Sequence, residues 1–407
     1  MQVSSSFKMK TIFLAAGKSS RMDPLGDKNF FDFCGEPLVV HLLKNAKKGG
    51  LRNFIVVANS GNKTLMERVL KEHKFSAEIV VQHHLEDGMA GGVLAGLSYV
   101  EENDELFVLG GNDLVDASAY ENVIRAAKNL EGALLSKKVP SYFPGGYLKV
   151  NKQNIIQSLV EKPGEGKEPS DLVNIVAHFF QKAVDLKSAL SRAKSSRDDV
   201  YEMALADLFL KLKFCAVPYA GRWSAIKYPW HVLDALDLFL NQQESFVSQK
   251  AEIAKSAVIK GDHVFISDNV KIFENAVIQG PCFIGKNAIV GNNALVRQSH
   301  IGNGSIVGFN TEVARSYLAN HVETHIAYVG DSVVDEYAHF GAYSCTANLR
   351  LDKKDVKVTI KEERVDSHRQ KLGAIVGSHA EIGIHALLMP GCKVNAGQFV
   401  LPGSLWK

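Results

Sequence analysis

From Ile266 onward, small aliphatic residues recur at every sixth position: Ile266, Ile272, Ile278, Ile284, Val290 and Val296. After a one-residue slip, Ile301, Val307 and Val313 resume the step, and near the C-terminus it returns at Val376, Ile382, Leu388, Val394 and Val400. An α-helix repeats every ~3.6 residues and a half-buried strand about every two, so neither generates this spacing. A triangular solenoid does, because each short side turns one small aliphatic residue inward and a Gly or Asn forms the corner. Gly285, Gly291, Gly302 and Gly308 follow inward positions directly, where that geometry wants a corner.

A chain of 407 residues exceeds what one hydrophobic core usually organises, which predicts two domains. The segment ahead of the solenoid has its own pattern. Buried strands are predicted at 10–14, 54–58, 78–82 and 105–109, alternating with helices at 37–48, 91–100 and 119–130. This β-α-β-α order predicts an α/β fold with a doubly wound, mainly parallel, Rossmann-like sheet that binds ligands at the carboxyl ends of its strands. Hairpin-like strands are expected at 146–150, 155–160 and 174–180, and helices at 184–193, 201–212 and 229–241. The reading divides the chain into 1–243 and 244–407.

Hydrophobic residues at 46% and charged residues at 22% are ordinary for a globular chain, and a net charge of +3 gives no reason to expect a nucleic-acid partner. Five cysteines without CxxC spacing argue against structural zinc and a disulfide framework, and fit a reducing compartment. Residues 1–10 are polar and lack the apolar stretch of a signal peptide, and no run is apolar enough to span a bilayer. A cytoplasmic protein without membrane attachment is expected, with no long arm beyond the last hexad.

Directly behind the first strand stands Leu14-Ala15-Ala16-Gly17-Lys18-Ser19-Ser20-Arg21-Met22, followed by Lys28. Small residues at a strand end let backbone N–H groups approach a triphosphate, and an arginine plus a lysine can neutralise it. The combined string resembles the signature of sugar-1-phosphate nucleotidylyltransferases (nucleotide-diphospho-sugar transferases). The resemblance implies nucleotide contacts by Leu14, Ala15, Ala16 and Gly17, with Arg21 and Lys28 catalytic. It further implies that Gln82, before the turn Asp87-Gly88, contacts the base together with Gly88, and that Gly146, Glu161 and Asn174 bind the sugar phosphate. In Gly110-Gly111-Asn112-Asp113 an extra residue leaves Asn112 and Asp113 both as candidates for the Mg²⁺ ligand; the carboxylate of Asp113 is the harder donor. Three positions depart from that family: Met89 replaces a small hydroxyl residue, Ala225 an aspartate that is a second metal ligand in many relatives, and Lys227 a glycine.

Within the solenoid the hexads are interrupted by His325-Ile326-Ala327-Tyr328-Val329-Gly330-Asp331 and by Gly341-Ala342, with Asn348 following. This resembles the H-x-x-Y-x-G-D … G-A-x-x-x-x-x-N pattern of glucosamine-1-phosphate acetyltransferases, whose hexapeptide repeats form a left-handed parallel β-helix. The basic run 353–357 and Arg369-Gln370-Lys371-Leu372-Gly373 look like the archaeal-type branch of bifunctional enzymes carrying both activities. Acetyl transfer to an amine needs a base for the ammonium proton, and a histidine suits that task. The resemblance gives that role to His325 rather than His321, orientation of the sugar to Tyr328 and Asn348, its phosphate to Arg297, Lys354 and Lys357, and the acetyl-CoA chain to Ala342. His339, Leu349 and Val313 depart from bacterial relatives, which carry an asparagine, an aromatic residue and a lysine there.

Three readings follow. The leading one is a bifunctional enzyme that acetylates glucosamine-1-phosphate with acetyl-CoA and joins the product to UTP, forming a UDP-N-acetylhexosamine as a homotrimer. The second is a nucleotidylyltransferase for glucose- or mannose-1-phosphate whose β-helix is structural or regulatory. The third is a non-catalytic assembly subunit.

Overall fold

The computed structural model describes residues 9–407; residues 1–8, most of the polar N-terminal stretch, lie outside the described residues. The chain divides into two compact units, one running up to Lys18 and from Val39 to Trp223, the other comprising Ser19–Leu38 and Ser224–Lys407.

The first unit carries a nine-stranded sheet. Its elements are β1 Lys10–Leu14, α1 Leu38–Lys48, β2 Phe54–Asn59, α2 Lys63–Glu72, β3 Glu78–Gln82, α3 Gly88–Leu97, β4 Leu106–Gly110, α4 Ala117–Ala126, β5 Gly132–Lys138, β6 Gly146–Val150, β7 Ile156–Glu161, β8 Leu172–Phe180, α5 Ala183–Arg192, α6 Val200–Lys211 and β9 Phe214–Pro218. The strand path runs β7-β6-β8-β4-β1-β2-β3, with β5 on β8 and β9 on β5. Strands β4, β1, β2 and β3 are parallel, while β8 runs antiparallel to β4 and β5. Strands β2 and β4 are buried along their whole lengths, because helices cover both faces of a doubly wound sheet. Helix α3 lies close to β1: a Cβ at Gly96 would meet the side chain of Ile12 at 2.8 Å.

Three elements were not among the sequence expectations: α2, β5 and β9. Helix α2 buries Met66, Val69 and Leu70 at the i, i+3, i+4 spacing of an amphipathic helix, a signal present in the sequence that the reading passed over. The helices expected at 91–100 and 119–130 begin earlier and end earlier, at α3 and α4.

The second unit contains three eight-stranded parallel sheets whose strands alternate along the chain. They are the three faces of a left-handed β-helix. The hexad residues stack in register, Ile266 on Ile284 and Ile272 on Val290, and form one core with exposures of 0–2%. Burying one such side chain contributes ~1.5–3 kcal/mol.

Two features differ from the sequence expectation. The coils continue through the segment read as an interruption: Leu318, Thr324, Val329, Val334, Phe340 and Thr346 take the inward positions. The threonines escaped the aliphatic pattern, yet both are fully buried with their hydroxyls bonded, Thr324 to Ile306 O at 3.1 Å and Thr346 from Gly330 N at 2.8 Å. The glycines behind inward positions also serve a different purpose. A Cβ at Gly285 or Gly291 would come within 2.7–2.8 Å of backbone in the next coil. Left-handed turn positions fall instead on residues such as Asn275, Asn293, Asn310, Tyr343 and His385, and on other glycines, among them Gly304 and Gly397. The real insertion is the hairpin Lys357–Ile360 with Glu363–Asp366.

One outer face carries an aromatic stack of Phe246, Phe265, Phe283, His300 and Tyr317, with neighbouring rings 4.9–5.5 Å apart. Phe31 and Phe33 cover Tyr317, and Phe33 stacks on Phe239 of helix α7, His231–Gln242. Gly26 N donates to Asp335 and Lys393 Nζ to Asp23 at 2.7 Å, so the segment Ser19–Leu38 is fastened to the β-helix at several points.

Candidate active sites

In the first unit, β1 and β4 pair with Leu14 opposite Gly110, and the chain leaves β1 for β2 on one side while β4 lies on the other. That is the switch point where parallel α/β sheets bind ligands. Leu14 O accepts from Gly111 N at 3.1 Å. The carbonyls of Ala15 and Ala16 accept from the amides of Asn62 and Asn59 at 3.0 and 2.9 Å. These asparagines, which the sequence reading did not single out, fix the peptide planes of the turn. A Cβ at Gly17 would meet nothing within 4 Å, so the loop is open at the position expected to admit a phosphate.

Gln82 is buried and its amide nitrogen donates to His84 O and Gly88 O at 3.0 and 2.9 Å. These bonds fix the amide so that its carbonyl oxygen is the end left to accept a hydrogen bond. Gly88 has a φ of +54°, a conformation that suits glycine. Asp113 is buried; its Oδ1 accepts from the Trp223 indole at 2.9 Å and the Asn112 amide stands 3.4 Å from Oδ2.

The three sugar-phosphate candidates converge. Glu161 is the register partner of Gly146, and a Cβ on Gly146 would stand 3.0 Å from Glu161 Oε2 and 3.8 Å from Asn174 Cβ. A side chain there would have to displace the end of Leu159, 2.9 Å away, or of Glu161. Beneath Asn174 lies a buried support that sequence reasoning missed: His178 Nε2 is 2.9 Å from Asn174 Oδ1, and its Nδ1 is 2.8 Å from the Tyr201 hydroxyl. Burial holds this imidazole neutral, with its pKa pushed down to about 3. Burial, helped by the nearby Glu161 charge, raises Glu202 to about 7.

Arg21 and Lys28 belong to the second unit. Arg21 is exposed, and Lys28 Nζ donates to Ile226 O at 3.3 Å. Asp27 braces this loop by accepting from Ser19 Oγ and from the backbone and side-chain amides of Asn29. Ala225 is buried and brings no side-chain oxygen; the Lys227 N–H lies 3.2 Å from His231 Nδ1.

On the β-helix, Tyr328 and Asn348 are brought together: Asn348 Nδ2 lies 3.1 Å from the Tyr328 hydroxyl and also donates to Asp331. Asp331 is buried and held bidentately by Arg315 at 2.6 and 2.7 Å, which raises the arginine pKa. A Cβ on Gly330 would strike the Tyr328 ring, which explains the glycine of Y-x-G-D. His325 is exposed at a corner one residue shorter than the corner from Val307 to Val313 beneath it. The left-handed position in that corner falls on Ile326, with φ +41°. A β-branched residue there stores strain, a feature that clusters at functional sites.

Lys354 and Lys357 line one cavity of about 650 Å³ with Arg350, Lys353, Asp355, Asp366 and Gln370. Arg297 does not line it, and its guanidinium is paired with Glu312 Oε1 at 2.6 and 2.9 Å. Ala342 is half-buried and its carbonyl accepts from His385 N at 2.9 Å. His321 is a turn residue at φ +59°, stacked on Tyr337, which stacks in turn on His379. Val313 points into the prism and is fully buried.

Residues 10–224 match the Nucleotidyl transferase family. Along nearly its whole length the chain is 31% identical to a bifunctional sugar-1-phosphate nucleotidylyltransferase/acetyltransferase of Sulfurisphaera tokodaii, covering 98% of this chain and 97% of that protein. The chain belongs to this bifunctional transferase family. It is also 30% identical to the bifunctional protein GlmU of Methanocaldococcus jannaschii, over 96% of this chain and 93% of that one. Among solved structures, UDP-glucose pyrophosphorylase with UDP-glucose aligns at a TM-score of 0.51 and 18% identity, covering 58% of this chain and 100% of that one. That likeness is one of fold. Among the described residues no helix is long and apolar enough to cross a membrane.

Proposed function

We propose that this transferase makes a UDP-N-acetylhexosamine in the cytoplasm, UDP-N-acetylglucosamine being the favoured product. In this reading residues 244–407 acetylate glucosamine-1-phosphate and residues 1–243 join the N-acetylated sugar phosphate to UTP. The observation that carries the acetyl half is the Tyr328–Asn348–Asp331–Arg315 network beside the strained His325 corner. A β-helix serving only as a scaffold has no need of a tyrosine hydroxyl and an asparagine amide held together by a buried carboxylate that an arginine grips bidentately.

In nucleotidyl transfer, a phosphate oxygen of the sugar phosphate attacks the α-phosphorus of the triphosphate, and the bond to pyrophosphate breaks. Glu161 accepts sugar hydroxyl hydrogen bonds, Asn174 offers its amide N–H groups, Gln82 accepts from the base, and Arg21 and Lys28 offset the crowded charge. A single buried carboxylate with phosphate oxygens and water suits Mg²⁺, so Asp113 would hold it, while Ala225 adds no ligand. When bound, the ion would neutralise charge developing on the phosphates.

In acetyl transfer, His325 takes the ammonium proton, the freed amine attacks the thioester carbonyl, and the carbon–sulfur bond breaks to release coenzyme A, whose thiolate takes up a proton. Tyr328 and Asn348 orient the sugar, Lys354 and Lys357 receive its phosphate, and Ala342 leaves room for the acetyl-CoA chain. The outward-facing Leu387 and Leu405, register partners in adjacent coils, are about half exposed at 47% and 54%, and support a trimer packed along that face. The test is a pyrophosphate-release screen of nucleoside triphosphates against sugar-1-phosphates, beside thiol release from acetyl-CoA. UTP with N-acetylglucosamine-1-phosphate should be the best pair. No acetylation of either glucosamine- or galactosamine-1-phosphate would leave a nucleotidylyltransferase with a structural β-helix.

A further inference from the structure

Strand alternation places three metal-ligating side chains on one outer face of the β-helix. Thr324 points inward, so Glu323 and His325 on either side of it point outward. His339 is the register partner of Glu323 in the next coil, and Glu381 is the partner of His339 in the coil after that. The result is a cluster in which one ligand atom from each of Glu323, His325 and His339 lies within 4.8 Å of the others. The two imidazole rings meet edge to face, with centroids 5.3 Å apart. Glu381 Oε2 stands 3.2 Å from His339 Nδ1, a carboxylate of the kind that orients a ligating imidazole.

We propose that Glu323, His325 and His339 form a binding site for a divalent cation of the zinc class. Two imidazoles and one carboxylate select a borderline metal over Mg²⁺ or Ca²⁺, and three protein ligands leave a position for water. Ligands on a tetrahedral zinc stand ~3.3 Å apart at metal–ligand distances of about 2.0–2.1 Å. The cluster must therefore contract modestly. Glu323 and His325 are exposed and free to rotate, whereas the rigid coils fix their Cα positions. A cation here occupies the lone pair with which His325 would take the amine proton, so it inhibits acetyl transfer. That consequence rests on the role given to His325 above; the metal site itself does not.

Tag-free protein, freed of metal with a chelator, is titrated with Zn²⁺ by calorimetry. The wild type should bind one ion per chain with micromolar affinity. His339→Ala and Glu323→Ala should each bind at least tenfold more weakly, with circular dichroism unchanged. His368→Ala, in a separate cluster with Asp355 and Asp366, should bind like the wild type. Unchanged affinity in His339→Ala, or a thiolate charge-transfer band when Co²⁺ replaces Zn²⁺, overturns the site. Acetyl transfer followed by mass of the N-acetyl product should slow with Zn²⁺ in the wild type and not in His339→Ala. Tight zinc binding with undiminished acetylation sustains the metal site and overturns the role of His325.

Discussion

The Nε2 atom of His178 stands 2.9 Å from the amide oxygen of Asn174. With that oxygen engaged, Asn174 turns its NH₂ group away from the core. The hydroxyl of Tyr201 holds the other ring nitrogen at 2.8 Å, so the orientation of one sugar-site amide depends on a buried relay. His178→Phe should raise KM for the sugar phosphate ~5–20-fold, the loss of one oriented hydrogen bond at ~1–2 kcal/mol, with a smaller effect on kcat. His178→Gln should recover part of the loss. Equal falls in kcat with KM unchanged, measured by steady-state kinetics, would contradict a positioning role.

Glu202 provides a pH test. Its folded pKa is about 7 against an ordinary 4.5, so between those values the folded protein keeps a proton that the unfolded chain has released. Stability from this group is therefore present at low pH and lost as pH rises through the folded value. Glu202→Gln removes that dependence. The difference in thermal midpoint, variant minus wild type, should grow from pH 5 to pH 8, corresponding to ~2–3 kcal/mol. A difference that stays flat across this range would mean that Glu202 ionises at its ordinary pKa.

Arg21→Ala and Lys28→Ala should each reduce nucleotidyl transfer ~100-fold, about 3 kcal/mol of transition-state stabilisation, and leave acetyl transfer near normal. Asp27 and Asn29 hold the loop whichever cation is removed, so folding should survive. Pyrophosphate release at the wild-type rate in both variants would remove them from the reaction.

His325→Ala should lose acetyl transfer by the ~10²–10⁴-fold typical of a missing general base, with nucleotidyl transfer unaffected. His321→Ala should retain acetyl transfer, since His321 is spent in the stack with Tyr337 and His379; a few degrees of lost thermal stability is the expected effect. The reverse pattern of acetyl-CoA turnover would show that the proton acceptor had been assigned to the wrong ring.

Light scattering at micromolar concentration should give the mass of a trimer. Leu387→Glu or Leu405→Glu, charging this outward-facing leucine pair, should shift the protein toward monomer. Acetyl transfer should fall in parallel if the site lies between prisms. A wild-type monomer would count against that arrangement.

The sequence alone determined whatever rests on short-range periodicity or on contiguous chemistry. Hexads declare which residues point inward because burial repeats along each coil, and Leu14–Gly17 declares a strand ending in an open turn because small residues at a buried strand's end have few other uses. Gly146, Glu161 and Asn174 could be named through resemblance, but their convergence depends on the register of β6, β7 and β8. The tertiary structure decided the rest. The inward threonines, Thr324 and Thr346, are tolerated because coils distant in sequence satisfy their hydroxyls. Arg297 meets Glu312, Asn59 and Asn62 pin the turn after β1, and His178 supports Asn174 on one side of its ring while Tyr201 closes the other. A hydrogen bond between segments requires both register and direction, and neither is written in the local pattern of either segment.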